Sequence, residues 1–450
     1  MASFSVKPPS GMRDFLPEEI LRRRSVIAVI SKIYEEHGFL PLETPTMERL
    51  DVLLGKYGEE GDRLVFKVLH RGAKLEKALE QQPVKTGDLA ELGLRYDLTV
   101  PLARVYALHR EKLGTMFKRY QIQPVWRADR PARGRFREFF QCDVDIIGSR
   151  EVLAEMDIFM AVCEIMELLG FEDFSLHINH RGLLSATMEA FGVPKEKETE
   201  ALVILDKLDK IGRDAVMAEL EAKLGATDLG EKLAPLFNLV EEKGTFEDLK
   251  KYYATVSLSA QGVTALEELE KLHRWSSELG NTRLFFHPLL ARGLDYYTGP
   301  IYELRLENES ASLGGGGRYD GLIGSFCGGE IPAVGFSFGL ERLLVLMEER
   351  GMFDSQGSES PVCIAALEEE HAAFALSCAA SLRKNGVRVD IFPGVTSPSK
   401  VFKWADRSKV RFVILIGGEE VESGRLTVKD MSNGALHQDS LQGLHSFFKK

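Results

Sequence analysis

The chain has 450 residues, and its 57 Lys and Arg against 68 Asp and Glu give a formal net charge of −11 and a pI near 5.6. This length indicates two to four domains of roughly 100–200 residues each, and a hydrophobic content of 44% excludes disorder as the main state. No apolar run reaches the ~20 residues that cross a bilayer, and no secretory signal is evident. We therefore expect a soluble, cytoplasmic protein with no membrane partner, and the acidic total gives no indication of a nucleic-acid partner.

The first third of the chain alternates predicted helices with short extended segments. Pro17 begins an amphipathic helix with acids in its first turn and Gly38 after its end. Residues 39–46 contain two prolines, which suit an extended edge segment better than a central strand. Residues 64–69 and 117–126 have short β-like patterns, and residues 98–109 between them are typical of a helix.

The middle of the chain begins with a strand and continues mainly as helices. Residues 139–147 alternate apolar and polar side chains, as in a strand with one face on a core, and the polar face carries Gln141, Asp143 and Asp145. A helix over 152–169 and a short strand over 174–178 follow. From about 182 to 280 the spacing is helical throughout, which predicts a helical insertion.

The last third contains a predicted domain boundary. Strand-like and Gly-rich sequence runs from 282, a helix follows over 340–349, and residues 350–360 form a polar linker. Beyond the linker, strands and helices alternate at short spacing. This pattern predicts a small α/β domain with a largely parallel sheet.

Neither the cysteines nor the histidines indicate a metal site. The number of cysteines is odd and none has C-x-x-C spacing, so we expect reduced, buried thiols rather than disulfides or a zinc site. The five are Cys142, Cys163, Cys327, Cys363 and Cys378. His177 and His180 are close in sequence, but no third ligand lies nearby.

Residues 118–137 form the most basic segment of this acidic chain. Six of its seven basic residues are arginines, whose planar fork binds phosphate or carboxylate through two donors. Pro131 and Gly134 predict a turn, so a strand, loop and strand would present the arginines together. A solvated edge strand kept basic to prevent pairing is the alternative.

Two further segments combine glycines with polar side chains. Residues 290–303 (LARGLDYYTGPIYE) place Arg292, Asp295, Tyr296 and Tyr297 in a backbone suited to tight turns, although a tyrosine-rich hairpin without a ligand has the same pattern. Four consecutive glycines at 314–317 permit close backbone approach to a ligand. They fit neither a P-loop nor a Rossmann motif.

Two single positions also indicate ligands. Arg342 lies in the first turns of a predicted helix, where an acid is more usual, so an anion or ring is expected to meet it. Asp97 and Thr99 would share one side of an extended backbone, which suits a substrate ammonium group. A helix N-cap explains Asp97 equally well.

In this order, the segments resemble the histidyl-tRNA synthetases, a family of class II aminoacyl-tRNA synthetases. G-M-R-D at 11–14 with E-T-P at 43–45 is similar to the first class II motif, residues 126–145 to the second and residues 335–342 to the third. R-G-L-D-Y-Y at 292–297 together with G-G-G-R-Y-D-G at 315–321 is specific to the histidine enzymes. Residues 95–99 and 133–146 are similar to the archaeal and eukaryotic branch, and Asp97 and Asp145 stand where the common bacterial form has Glu.

The resemblance implies an α+β fold with a class II antiparallel sheet flanked by helices, a helical insertion and a C-terminal α/β anticodon-binding domain. The implied boundaries are 1–181 and 282–349 for the two parts of the catalytic core, 182–281 for the insertion, 350–360 for the linker and 361–450 for the anticodon-binding domain. It also implies a homodimer built partly on the first motif.

The implied activity is ATP- and Mg²⁺-dependent activation of L-histidine followed by transfer to tRNA(His). The histidine carboxylate must attack the α-phosphate, so the site has to hold two anions in line and offset their charge. Arg127 is the candidate for the α-phosphate and Arg292 for bridging carboxylate and phosphate. Arg135 and Arg342 would bind the rest of ATP, and Mg²⁺ is expected on the β- and γ-phosphates.

Selection of histidine depends on polar groups that an apolar competitor would leave unpaired, which can give discrimination of about 10⁴ or more. Asp145 and Tyr297, beside Tyr296, are the candidates for the imidazole. The α-ammonium group would be bound by Asp97, Thr99 and Gln141.

Two other functions are compatible with parts of this pattern. A catalytically inactive paralogue that regulates ATP phosphoribosyltransferase typically lacks the C-terminal domain and the signature arginines, whereas this chain retains both. An RNA-binding scaffold that uses only the basic segment would not need the R-G-L-D-Y-Y signature.

Overall fold

A computed structural model describes residues 5–81, 83–224, 229–280, 283–292, 296–307, 309, 311–353 and 362–448. The chain divides into two units, Met1–Gly351 and Met352–Lys450, which are described separately. Within the described residues, no helix is long and apolar enough to span a membrane.

The strands are β1 Leu40–Pro41, β2 Met47–Arg49, β3 Lys67–Leu69, β4 Ala90–Leu94, β5 Phe117–Trp126, β6 Glu138–Ile147, β7 Phe174–His180, β8 Leu284–Phe286, β9 Pro300–Leu306, β10 Gly314–Arg318, β11 Ala333–Gly339, β12 Val362–Ala366, β13 Val389–Ile391, β14 Phe412–Ile416, β15 Arg425–Asp430 and β16 Leu436–Ser440. The helices are α1 Pro17–Glu36, α2 Leu50–Leu53, α3 Gly58–Leu64, α4 Ala73–Leu79, α5 Thr99–Leu113, α6 Leu153–Leu168, α7 Arg181–Ala190, α8 Glu198–Leu205, α9 Leu208–Ile211, α10 Arg213–Leu224, α11 Leu229–Glu241, α12 Phe246–Tyr253, α13 Ala260–Glu278, α14 Asp320–Cys327, α15 Leu340–Glu349, α16 Ala372–Lys384, α17 Pro398–Arg407, α18 Gly418–Ser423 and α19 Leu441–Phe447.

The first unit is built on an eight-stranded sheet in the order β1-β5-β6-β11-β10-β9-β7-β8. The six inner strands pair antiparallel, while β1 and β8 add in parallel at the two edges. The predicted antiparallel sheet flanked by helices is therefore confirmed. The edge position of β1 agrees with its prolines, because a proline cannot donate a hydrogen bond to a second neighbour.

β6 shows why the functional site lies on this sheet. Its apolar residues Cys142, Val144 and Ile146 are buried, as the alternation predicts, but the opposite polar face is buried as well. The polar face lies under a cavity instead of open solvent.

Glycine is required where β10 and β11 pair. A Cβ on Gly316 would lie 1.9 Å from the carbonyl oxygen of Gly335, so no side chain fits there. This explains the glycine run at 314–317 without a phosphate-binding loop.

Between β7 and β8 the described residues form only helices and turns, from α7 to α13, which confirms the predicted helical content of this region. A small sheet in the order β2-β4-β3 forms before α5. Its strand β4 was not predicted, because A-E-L-G-L is short and contains a glycine at its fourth position.

The second unit has a five-stranded sheet in the order β13-β12-β14-β15-β16. The prediction of a largely parallel sheet is only partly right: β13, β12 and β14 are parallel, but β15 and β16 form an antiparallel hairpin. The hairpin was not predicted because the sequence of β16, L-H-Q-D-S, is mainly polar. The side chains of β16 alternate between exposed and partly buried. Most of the predicted linker, 354–360, lies outside the described residues.

Candidate active site

A cavity of about 880 Å³ lies over the polar faces of β6, β10 and β11. Its volume suits a nucleotide and an amino acid better than a single small ion. The predicted site residues all line it, namely Asp97, Thr99, Arg127, Arg135, Gln141, Asp145, Arg292, Tyr296, Tyr297 and Arg342. Gly293, Leu294 and Asp295 of the signature lie outside the described residues.

β6 contributes a row of acceptors to the cavity floor. Gln141, Asp143 and Asp145 are alternate residues of one strand and therefore face the same side. All three are at most 9% exposed, and each has one side-chain oxygen without a hydrogen-bond partner. Buried acceptors are normally paired, so this row indicates a ligand that brings donors.

Asp145 is held by two neighbours. The Tyr319 hydroxyl donates to its Oδ1, and Arg119 Nη2 on β5 lies 2.8 Å from its Oδ2, as an ion pair without hydrogen-bond alignment. Burial raises the pKa of Asp145, while Arg119 and the Tyr319 hydroxyl lower it. Arg119 is completely buried, so the floor contains a cation of its own.

Asp97 combines the two roles that its sequence position allowed. Its Oδ1 accepts hydrogen bonds from the Val100 amide at 3.1 Å, in the first turn of α5, and from the Tyr57 hydroxyl at 3.0 Å. Asp97 also lines the cavity beside Thr99. The N-cap-like bond therefore fixes a carboxylate that faces the site, and burial raises its pKa.

Arg127 is oriented by aromatic rings. Its guanidinium lies 4.2 Å from the centre of the Tyr96 ring and 5.3 Å from that of Phe139. Its Nε donates to the Tyr96 carbonyl at 3.1 Å. These contacts fix the plane of a cation at the cavity wall, as bidentate binding of a phosphate requires.

Arg292 occupies space that a glycine leaves open. Its Nη1 donates to Glu303 Oε1 at 3.0 Å, and a Cβ on Gly315 would lie 2.6 Å from the same nitrogen. Burial lowers the pKa of Arg292, but Tyr297 and Glu303 raise it, with a net rise. Arg292 thus stays charged although it is deep in the cavity.

Arg342 and Arg135 form a second cationic group at the start of α15. Arg342 donates to the Ser312 carbonyl, and Arg135 pairs with Asp129 at 2.8 Å. Burial lowers the pKa of Arg342, and the neighbouring Arg135 lowers it further. An anion between two such cations would relieve their repulsion.

The basic segment differs from the prediction in its pairing. Lys118 pairs with Asp157, Arg119 with Asp145, Arg133 with Glu349 and Arg135 with Asp129. The segment is therefore not a uniform phosphate-binding surface. The alternative of a solvated edge strand is wrong, because β5 lies between β1 and β6.

The cysteines and histidines considered in the sequence analysis have these surroundings. All five cysteines are thiols and not part of disulfides, and Cys327 is the one among them that is not buried. His180 contacts Glu268 at 3.0 Å, and His177 contacts Ser175 at 3.1 Å. Among the described residues, the candidate metal-ligand group is Glu368, Glu370 and His371, which lie in the second unit.

Sequence reasoning missed several residues that support the site. Tyr57, Arg119, Glu303 and Tyr319 each hold a predicted site residue in place. Asp206, Leu208 and Lys210 also line the cavity from the helical region. Tyr319 belongs to the G-G-G-R-Y-D-G segment, Arg119 to the basic segment 118–137 and Glu303 to the segment 290–303, whereas Tyr57 had no local signal.

Comparisons with known proteins identify the family of the chain. A family model described as "Histidyl-tRNA synthetase" matches residues 11–343, and one described as "Anticodon binding domain" matches residues 361–450. The histidine–tRNA ligase of Cytophaga hutchinsonii is 40% identical over 438 residues, and that of Porphyromonas gingivalis is 39% identical over 439 residues. Each match covers 95% of both chains. A crystal structure of histidyl-tRNA synthetase from Nostoc sp. PCC 7120 has a TM-score of 0.83 and 28% identity, with 99% of each chain covered.

These comparisons correct one expectation. The predicted likeness to the archaeal and eukaryotic branch is not supported, because the relatives are bacterial. The matches extend over nearly the full length, and the chain belongs to the histidyl-tRNA synthetase family.

Proposed function

We propose that the protein is a histidine–tRNA ligase, which activates L-histidine with ATP to histidyl-adenylate and transfers it to tRNA(His). The observation that carries this proposal is one cavity in which unpaired acceptors on β6 face the arginines 127, 292 and 342. The acceptors suit the cationic and N–H groups of an amino acid. The arginines suit a carboxylate and phosphates.

The amino-acid subsite is formed by the floor of the cavity. Asp97, Thr99 and Gln141 bind the α-ammonium group, and the buried carboxylate of Asp97 supplies the countercharge. Asp145 and Tyr297 bind the imidazole, with Tyr296 packed against Tyr297 at a ring-centre distance of 5.0 Å. A residue with an apolar side chain would bring no hydrogen-bond donor to Asp145 Oδ2, which supports selection of histidine.

The nucleotide subsite is formed by the arginines. Arg127 binds the α-phosphate, and Arg292 bridges the histidine carboxylate and that phosphate, so that the attacking oxygen and phosphorus stay in line. Arg342 and Arg135 bind the remainder of ATP. No side chain of the described residues needs to form a covalent bond, because positioning and charge compensation supply the catalysis.

Magnesium would accompany ATP as part of the substrate. The carboxylates on the nucleotide side of the cavity, Asp129 and Glu303, are each paired with an arginine. This donor set fits an ion that is held mainly by the β- and γ-phosphates. When bound, the ion would offset phosphate charge.

The regulatory paralogue is the less favoured function. It is expected to lack the C-terminal domain and signature arginines, whereas here the anticodon-binding model matches 361–450 and the arginines line the cavity. A homodimer and a cytoplasmic location belong to the same proposal and rest on membership of the family.

Histidine-dependent exchange of labelled pyrophosphate into ATP tests the proposal directly. We expect exchange with L-histidine and ATP, and none when histidine is omitted or replaced by leucine. Charging of tRNA(His) transcript tests the second step. A purified, folded protein without histidine-dependent exchange would contradict the proposed activity and favour the regulatory paralogue.

A further inference from the structure

Asp143 is the central acceptor of the β6 row and has no part in the proposed reaction so far. Its side chain is 2% exposed and lines the cavity, and its Oδ1 has no hydrogen-bond partner among the described residues. A buried carboxylate oxygen without a donor is costly. Its presence therefore indicates that a ligand supplies the donor.

The protein's own donors leave one oxygen of Asp143 without a partner. Arg119 Nη2 lies 2.8 Å from Asp145 Oδ2 but 3.9 Å from Asp143 Oδ2. Tyr319 also donates to Asp145. The Ser337 hydroxyl accepts a hydrogen bond from Gln141 Nε2 at 2.9 Å, and its own hydrogen bond to Asp143 lowers the pKa of that carboxyl group. Asp143 Oδ1 still lacks a donor.

The cavity floor is rich in buried carboxylates. Asp97, Asp143 and Asp145 are at most 3% exposed, with the fully buried Arg119 beside them and Arg95 and Arg127 as further cations at longer range. None of these arginines donates a hydrogen bond to Asp143 Oδ1. A protonated imidazole ring would bring both a donor and a positive charge to that oxygen.

The groups that face Asp143 come from each neighbouring element. They are Arg119 on β5, Asp145 on β6 itself, Ser337 on β11, Asp97 before α5 and, at longer range, Tyr34 on α1, Arg95 after β4 and Tyr296. Burial raises the pKa of Asp143 to about 7, with Arg119 lowering it and Asp145 raising it. The carboxyl group can therefore ionise near neutral pH when a cation arrives.

We propose that Asp143 is a specificity-determining residue whose Oδ1 accepts a hydrogen bond from the imidazole ring of histidine and favours the protonated ring over the neutral one. This inference rests on the proposed function. The ammonium group already has acceptors in Asp97, Thr99 and Gln141, so the ring is the remaining donor. A protonated ring donates from both nitrogens, whereas a neutral ring donates from one.

The test compares L-histidine with 1,2,4-triazole-3-alanine, an isostere whose ring stays neutral near pH 7. Pyrophosphate exchange is measured for the wild type and for Asp143→Asn, which keeps the shape of the side chain and removes its charge. We expect kcat/KM for histidine to fall by about 10–100-fold, the loss expected for a charge-assisted hydrogen bond. The value for the triazole analogue should change by less than about threefold, since its ring offers no charge to lose.

Equal losses for both substrates would overturn the proposal, because they would indicate a purely structural role. No loss for either substrate would also overturn it. Wild-type protein without histidine-dependent exchange would refute the proposed function instead. Asp51→Asn is the matched control: Asp51 is an exposed carboxylate paired with Arg49, and its loss should leave both substrates unaffected.

A second measurement does not depend on the folding of the variant. In the wild type, KM for histidine should rise about tenfold per pH unit above about pH 7, because binding then needs a proton that neither the free ring, with a pKa of ~6.5, nor Asp143, with a pKa of about 7, still holds. KM for the triazole analogue should stay level over the same range, and it controls for the shared α-ammonium group. A histidine profile as level as that of the analogue would overturn the proposal.

Discussion

Arg292 shows what controls a functional residue at the scale of one side chain. Glu303 holds its Nη1 at 3.0 Å and Gly315 leaves the space that it fills. R-G-L-D-Y-Y was enough to predict Arg292 as a candidate from the sequence. Its partner Glu303 could not be predicted, because a pairing across the cavity depends on how β9 and β10 lie against the signature segment. The same holds for Arg119, whose contact with Asp145 follows from the register of β5 and β6.

We predict that Arg292→Ala slows pyrophosphate exchange by about 10²–10³-fold, the loss typical of removing one group that stabilises charge in the transition state. The KM for ATP should change little, since Arg127, Arg135 and Arg342 remain. Arg350→Ala is the control, because Arg350 is only partly buried and pairs with Asp173. Near-normal pyrophosphate exchange by Arg292→Ala would contradict the proposed role of Arg292 in bridging the histidine carboxylate and the α-phosphate.

Asp143 also predicts a pH dependence of stability. Its pKa is about 7 in the folded state against 3.8 for a free carboxyl group, so the folded protein binds more protons between these values. The contribution of Asp143 to the free energy of unfolding is therefore largest below about pH 4. It decreases as the pH rises to about 7. Asn at position 143 does not titrate and should lack this decrease.

The measurement is the melting temperature of the wild type and Asp143→Asn at pH 5 and pH 8. The melting temperature of the variant minus that of the wild type should be more positive at pH 8 than at pH 5. The expected change is a few degrees, on the order that corresponds to about 1–2 kcal/mol in a protein of this size. A difference that is the same at both pH values would contradict the raised pKa.

At the scale of elements, α6 is tied to β10 by a buried ion pair. Arg318 Nε and Nη2 donate to the two carboxylate oxygens of Glu155, each at 2.8 Å. The strands and helices of this region were predicted well, because periodicity is local. The ion pair was not predicted, since 163 residues separate Glu155 and Arg318 in the sequence.

We predict that Glu155→Leu destabilises the first unit by about 3 kcal/mol, since it leaves the buried Arg318 with Asp320, at 3.4 Å, as its remaining carboxylate. The double variant Glu155→Leu with Arg318→Met should be less destabilised than Glu155→Leu or Arg318→Met alone, because both charges of the pair are gone. Urea unfolding of these three variants measures the coupling. Additive losses would show that the two side chains do not depend on each other.

At the scale of the whole molecule, the two units have separate cores. The second unit packs α16 and α19 on one face of its sheet and α17 on the other. Alternating strand and helix patterns were sufficient to predict this unit, apart from the β15–β16 hairpin. The parallel edge strands of the large sheet were harder to predict, because a strand of two residues such as β1 is too short to show an alternation of apolar and polar side chains.

We predict that deletion of residues 361–450 spares adenylate formation and impairs tRNA charging, because every residue of the cavity lies before position 350. Pyrophosphate exchange and aminoacylation are measured on the same preparation. Thermal unfolding of the shortened chain checks that the first unit remains folded. Parallel loss of both activities in a folded protein would contradict a separate tRNA-binding role for the second unit.

The glycine strand β10 has a consequence for protein engineering. Backbone and side-chain atoms leave no room for a Cβ at Gly315, Gly316 or Gly317, so libraries that vary these positions would yield mainly misassembled sheets. β6, in contrast, is separated from β10 by β11 and carries the groups proposed to read the amino acid. Attempts to recode the enzyme for a histidine analogue should vary β6 and leave β10 intact, because substrate choice and the placement of Arg292 are encoded on different strands.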